Sequence, residues 1–178
     1  LWWAPNPRFV LFPNDIYISK SMKSVLRRNE FTVTFDEDFK SVIQNCQKIK
    51  RKDQDDTWIT SDMLTAYYDL HKQGFAHSVE VWKNNELVGG LYGISLGKCF
   101  FGESMFATKS NASKVGFITL IQKLQKLKFE IIDCQVYTEH LESLGAIEIS
   151  RDKFMEILKI GTNFDNFQGN WSSLLTDL

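Results

Sequence analysis

Two polar side chains stand two residues apart in an otherwise apolar run, Ile131-Ile132-Asp133-Cys134-Gln135-Val136. Its β-branched residues read as a strand, along which side chains alternate faces. Asp133 and Gln135 are therefore expected on one face, with Ile132, Cys134 and Val136 on the other. Burying a carboxylate beside a carboxamide is costly unless each is hydrogen-bonded or used. The pair offers a negative charge beside an amide that both donates and accepts. The alternative is a sheet end where neighbouring backbone satisfies both groups. A further carboxylate, Glu103, lies in Gly102-Glu103-Ser104-Met105 and shares a strand face with Phe101 and Met105. Gly102 beside it suits a bulge that re-aims its neighbours, although Glu103 could equally cap backbone at a sheet edge.

Other chemistry is not signalled. There is no Walker loop, zinc-spaced Cys/His set or Gly-x-Ser-x-Gly elbow, and no metal is expected. His71, His77 and His140 are scattered and read as surface or packing residues. Cys46, Cys99 and Cys134 are odd in number and form no disulfide framework, which points to a reducing, cytoplasmic setting. The formal net charge of −1 gives no global attraction to nucleic acid, so any such contact must be local. No run is long enough for a membrane span, and neither membrane nor DNA is an expected partner.

The elements that must hold these residues follow from periodicity. The 178 residues fit one domain with a small appendage, and 43% hydrophobic residues supply a core. Residues 1–18, aromatic and broken by Pro5, Pro7 and Pro13, are expected to run extended across another surface. The chain begins with Leu1, as a truncated or processed chain would. Ser19 to Asn29 reads as a helix with Met22, Val25 and Leu26 on one face. Lys20, Lys23, Arg27 and Arg28 on the other form either a phosphate-contacting face or a solvated one. Phe31 to Phe35 alternates like a strand, and Asp36 is a plausible N-cap for a helix burying Phe39, Val42, Ile43 and Cys46. Lys48 to Asp56 reads as an exposed charged loop. Thr60 or Ser61 starts a helix that Gly74 stops.

Beyond it, His77 to Trp82, Glu86 to Ser95 and Cys99 to Phe106 form an antiparallel meander, turned at Asn84-Asn85 and Gly97. A helix from about Asn111 to Lys128 carries a buried stripe of Phe117, Leu120, Ile121, Leu124 and Leu127. The central strand, a short helix from Thr138, a strand from Ala146 to Ser150 and a helix from Asp152 to Ile160 complete the order. This is an α+β pattern, mostly antiparallel sheet flanked by helices. It resembles the GNAT-like acyltransferase fold, in which the strands before and after the long helix splay into a cleft. Residues 1–56 are expected as an N-terminal aromatic and basic segment docking on a catalytic domain at 57–178. The corner Lys109-Ser110-Asn111-Ala112-Ser113-Lys114 lacks the glycines of a coenzyme A loop, so no cofactor is expected.

Several segments are similar to the leucyl/phenylalanyl-tRNA–protein transferase family. They are Leu1-Trp2-Trp3-Ala4-Pro5-Asn6-Pro7-Arg8, Thr57-Trp58-Ile59-Thr60, His77-Ser78-Val79-Glu80-Val81-Trp82, Gly102-Glu103-Ser104-Met105-Phe106, Asn111-Ala112-Ser113-Lys114 and Ile132-Asp133-Cys134-Gln135-Val136. The resemblance runs in order from Leu1 to about Gly161. It implies transfer of Leu or Phe from aminoacyl-tRNA to the α-amino group of proteins beginning with Arg or Lys, tagging them for degradation by the N-end rule. Two departures stand out: family members carry a further N-terminal segment, and Thr138 stands where the family often has Asn. The resemblance supports Asp133 and Gln135 as the catalytic pair. Glu103 would fix the aminoacyl-adenosine end or the basic acceptor. Leu91, Phe100, Met105, Phe117, Leu120, Leu124 and Ile132 are nominated as the donor side chain's pocket, with ordinary core as their alternative. Trp58 is the candidate surface for the terminal adenine, and Lys20, Lys23, Arg27 and Arg28 would grip tRNA backbone. Competing readings are an acetyl-CoA-dependent N-acyltransferase of the same fold and a non-catalytic RNA- or peptide-binding module.

Overall fold

The computed structural model describes residues 4–49 and 57–176. The expected loop at Lys48–Asp56, the expected boundary at 56/57 and the aromatic Leu1–Trp3 fall largely or wholly outside the described residues. Among the described residues, seven strands form one sheet: β1 (Arg8–Leu11), β2 (Thr32–Phe35), β3 (Ala76–Lys83), β4 (Glu86–Leu96), β5 (Cys99–Ala107), β6 (Ile131–Gln135) and β7 (Ile147–Ile149). Their spatial order is β2-β3-β4-β5-β6-β1-β7, and β5 with β6 is the parallel pair in an otherwise antiparallel sheet. The meander forms as expected because Asn84 and Asn85 both take positive φ, 52° and 63°, the geometry of a tight hairpin turn. At Gly90 an added Cβ would lie 2.7 Å from Val79 O, so strand and neighbour approach too closely for a side chain.

The N-terminal run is extended, as expected, but it is a strand of the sheet rather than a strap laid over it. Phe9, Val10 and Leu11 are buried, and β1 fills the gap between β6 and β7. Its apolar backbone can be buried only if its N–H and C=O groups are paired. β2, also from the first 56 residues, pairs with β3.

Helices α1 (Lys20–Arg28), α2 (Phe39–Lys48), α3 (Ser61–Lys72), α4 (Ala112–Lys126), α5 (Glu139–Glu142), α6 (Arg151–Gly161) and α7 (Trp171–Thr176) accompany the sheet. α4 buries Phe117, Leu120, Ile121 and Leu124 with Leu91, Phe100 and Ile132 of the sheet in the main core. A second core joins Phe39, Val42, Ile43 and Cys46 of α2 to Ala76, Tyr92 and Phe106. A third, on the α6 side, gathers Val10, Cys99, Ile131 and Phe154. The N-cap of α2 is Asp38, which accepts from Ser41 N at 3.1 Å, not Asp36. Asp36 is buried and committed elsewhere: it accepts from His77 Nδ1 at 2.8 Å, Ser78 N at 2.8 Å and Trp171 N at 2.7 Å. α7 was not legible in the sequence. Trp171 anchors it, stacked on His77 at 3.7 Å between ring centroids. Among the described residues, no helix is long and apolar enough to cross a membrane.

Candidate active site

β5 and β6 pair through Cys99↔Ile131, Phe100↔Ile132 and Phe101↔Asp133, and then part. An irregularity on each strand accompanies the parting. Pairing of β4 with β5 passes from Tyr92↔Ser104 to Gly93↔Gly102, leaving Glu103 as the extra residue of a bulge. On β6, Gln135 takes φ +67°, and Val136 N donates to Cys134 O at 2.8 Å across it. A non-glycine residue stays in the left-handed region only where its surroundings hold it. Here Asp133 Oδ1 accepts from Gln135 N at 2.9 Å.

The alternation expected of Asp133 and Gln135 therefore fails at its last residue, and the two side chains leave the strand in different directions. Asp133 is fully buried and turned to β1, where Arg8 donates Nε to Oδ1 at 2.8 Å and Nη2 to Oδ2 at 2.6 Å. Arg8 also lies 5.3 Å from the centroid of the Phe154 ring. Gln135 reaches the other way, across the gap to β5. Its Nε2 donates to Gly102 O at 2.9 Å and Glu103 Oε2 at 3.4 Å. A carbonyl only accepts, so the NH₂ end must face Gly102, and Oε1 is the end left to accept. The side chain spans the strands where their backbone pairing has stopped.

Beside this bridge lies a cavity of about 370 Å³. Leu91, Met105, Phe117 and Ile132 give it apolar walls, and Cys134, Leu141, Glu103, Asp133 and His140 also line it. Ile132, Asp133 and Cys134 all reach it because the strand's edge, not one face, is laid open. Gln135 touches two lining residues without being one. Three nominees lie deeper: Phe100 of β5 and Leu120 and Leu124 of α4 are 0–1% exposed and pack together in the main core. Trp58, before α3 and 37% exposed, is not a wall of this cavity.

Lys20, Lys23, Arg27 and Arg28 are exposed along α1, and Arg28 lies 3.5 Å from Glu30. A second cleft, of about 640 Å³, runs between the start of α1, the start of α4 and the end of α5, with Ser19, Asn111, Lys114 and Gly145 in its walls. α5 borders both openings, contributing His140 and Leu141 to the first and Glu142 to the second.

Burial raises the Glu103 carboxyl above its ordinary value, against hydrogen bonds from Tyr67 and Gln135 that lower it. The Tyr67 phenol is pushed up in turn, by burial first and by Glu103 second. Burial pushes the Cys134 thiol up to about 12, Asp133 adding to the effect, so it is no nucleophile near neutrality. The His140 ring is held below its ordinary value by burial and then by Lys114. Among the described residues, no group of three or more His, Cys, Asp or Glu could hold a metal ion. Sequence reasoning missed Arg8, Tyr67 and His140 as members of the site. Arg8 had one signal, a lone cation in an apolar aromatic run.

A family model described as leucyl/phenylalanyl-tRNA protein transferase matches residues 10–159. The leucyl/phenylalanyl-tRNA–protein transferase of Flavobacterium johnsoniae is 58% identical over 159 residues, covering 89% of this chain and 75% of that protein. The protein of the same name from Syntrophus aciditrophicus is 53% identical over 173 residues, covering 97% of this chain and 72% of that one. Among solved structures, L-PGS from Bacillus licheniformis aligns with a TM-score of 0.51 at 10% identity, over 88% of this chain and 52% of that one. A GCN5-related N-acetyltransferase from Kribbella flavida aligns with a TM-score of 0.45 at 9% identity, over 82% of this chain and 55% of that one. The fold is α+β, a mostly antiparallel sheet flanked by helices, as expected.

Proposed function

The chain belongs to the leucyl/phenylalanyl-tRNA–protein transferase family and is an aminoacyl-tRNA–protein transferase, and from that premise we propose how its site works and on what. The donors are tRNAs charged with Leu or Phe, and the acceptors are proteins with Arg or Lys at the N-terminus, which the transfer marks for N-end rule degradation. The reaction belongs in the cytoplasm, where charged tRNA is found. The observation that carries this reading is the parting of β5 and β6 over an apolar cavity, with Gln135 spanning the gap.

The aminoacyl ester is already activated, so the chemistry needs only placement. The neutral α-amine attacks the ester carbonyl carbon; a C–N bond forms, and the bond from that carbon to the ribose oxygen breaks. The proton lost by the amine ends on the departing ribose oxygen. An α-amine has pKa about 8, so a useful fraction is neutral at pH 7. Positioning can then supply much of the acceleration. Gln135 Oε1 accepts the amine's N–H and aims its lone pair at the ester. Asp133 acts through Gln135: both its oxygens are occupied by Arg8, and Oδ1 also holds the Gln135 backbone in place. The donor's Leu or Phe side chain enters the cavity against Leu91, Met105, Phe117 and Ile132, and Glu103 sits at its polar rim. Lys20, Lys23, Arg27 and Arg28 contact tRNA phosphates, with the cleft between α1 and α4 as the path for the acceptor end. Trp58, away from the cavity, offers a stacking surface outside it.

Transfer of labelled Leu or Phe from charged tRNA to an Arg-initiated peptide tests the reading. Label is expected in that peptide and not in one beginning with Glu. Labelling that ignores the first residue, or acetyl-CoA serving as the donor instead, would overturn it.

A further inference from the structure

We propose that the cleft between α1, α4 and α5 holds the single-stranded 3′ end of the donor tRNA, with Tyr17 stacking on a base and Lys114 pairing with the terminal phosphodiester. The inference rests on the reading that the aminoacyl ester occupies the cavity beside Gln135. Cavity and cleft share a partition. On α4, Ser113 lines the cavity and Lys114, the next residue, lines the cleft. On α5, His140 and Leu141 line the first and Glu142 the second. An ester seated in the cavity brings its ribose to that partition, and the cleft is where the nucleotide chain can continue.

The walls of the cleft suit a single strand. Tyr17 is 63% exposed although its backbone is fixed. Its N–H donates to Leu144 O at 2.9 Å, and an added Cβ at Gly145 would lie 3.3 Å from that nitrogen. A large aromatic ring is thus held in the wall with a face free for a base, and every base offers a face in return. Lys114 is half-buried in the same cleft and makes no ion pair among the described residues, so its charge is uncommitted. The carboxylate in the walls, Glu142, is engaged by the Tyr137 hydroxyl, which donates to it at 2.8 Å. Ser19 and Ser21 lead from the cleft onto α1, where Lys20 and Lys23 are exposed. A cationic groove with an aromatic side chain binds single strands with little regard to sequence.

Two donors separate the cleft from the cavity. The phenylalanyl ester of adenosine has neither a phosphate nor a second base; the ester of the dinucleotide cytidylyl-adenosine has one of each. The dinucleotide is expected to be the better donor in kcat/KM by at least about 10-fold, from one stack and one ion pair. Tyr17→Ala and Lys114→Ala should each cut that ratio at least about threefold, and together abolish it, whereas Tyr17→Trp and Lys114→Arg should keep it. A substitution that merely disturbs packing lowers both donors alike and leaves the ratio. Equal use of the two donors by the parent, or a ratio that survives both alanines, overturns the proposal. If the parent transfers from no donor at all, the reading of the site fails separately, and calorimetry with the matching amides, in which nitrogen replaces the ester oxygen, still decides. The dinucleotide amide should bind more tightly than the adenosine amide, and the two alanines together should remove the difference. Equal binding of the two amides by the parent overturns the proposal.

Discussion

Arg8 and Asp133, 125 positions apart, meet through two hydrogen bonds of 2.8 and 2.6 Å, with their side chains 14% and 1% exposed. The pair ties the N-terminal strand to the strand that ends in Gln135. It also engages both Asp133 oxygens with Arg8, and Oδ1 with the Gln135 backbone as well, so Asp133 acts on Gln135 through the backbone it holds.

Removing one partner of such a pair strands a buried charge. Arg8→Ala is expected to lower stability by about 3–5 kcal/mol and to slow transfer as the Gln135 backbone loosens. The double substitution Arg8→Met with Asp133→Leu should regain much of that stability while leaving transfer slow. Urea denaturation beside a transfer assay separates the two effects. Equal stability of the single and double variants would contradict the assignment.

Core and cavity should respond differently to truncation. Leu120 is fully buried beneath the site, and Leu120→Ala should cost about 2–5 kcal/mol with the Leu-to-Phe donor ratio unchanged. Met105 lines the cavity and is only partly buried. Replacing it with Trp fills that space and should disfavour Phe as donor more than Leu, with little change in Tm. A competition assay with both charged tRNAs reads the ratio directly.

Much of this was open to inspection in the sequence, for identifiable reasons. The α4 stripe of Phe117, Leu120, Ile121 and Leu124 and the Asn84-Asn85 turn are local patterns, and local patterns survive folding. Arg8 with Asp133 is not local, and no spacing rule connects residues so far apart. β1 was obscured by Pro5, Pro7 and Pro13, which read as an irregular strap, although Phe9–Leu11 is apolar enough to be buried. Asp36 looked like a helix cap, but a left-handed turn at φ 55° carries it inward to His77 and Trp171, and Asp38 caps instead. Phe100, Leu120 and Leu124 were nominated for the cavity because apolar spacing does not distinguish a wall from the layer behind it.

The exposed cations of α1 predict salt-dependent binding. Each phosphate neutralised releases condensed counterion, so affinity falls with salt in proportion to the phosphates that are paired. Lys23→Glu with Arg27→Glu should weaken charged tRNA binding and flatten the salt slope by roughly one for each cation reversed. Transfer at saturating tRNA should be spared. Filter binding across a salt series checks this, and an unchanged slope would remove α1 from the interface.

Glu103 predicts a conflict between stability and activity. Its folded-state pKa is raised above 4.5, chiefly by burial. The folded chain therefore holds this proton more tightly than the unfolded chain does. The stability this proton gives is fully present below the unfolded value and is lost as pH rises through the folded one. Glu103→Gln removes the titration and keeps a carbonyl oxygen to accept from Gln135 Nε2. The variant should melt close to the parent below pH 4.5 and above it near neutrality, while transferring more slowly because the anion that fixes Gln135 is gone. Thermal melts on either side of the window decide it. A variant less stable than the parent near neutrality would mean that hydrogen bonds to the carboxylate outweigh its desolvation.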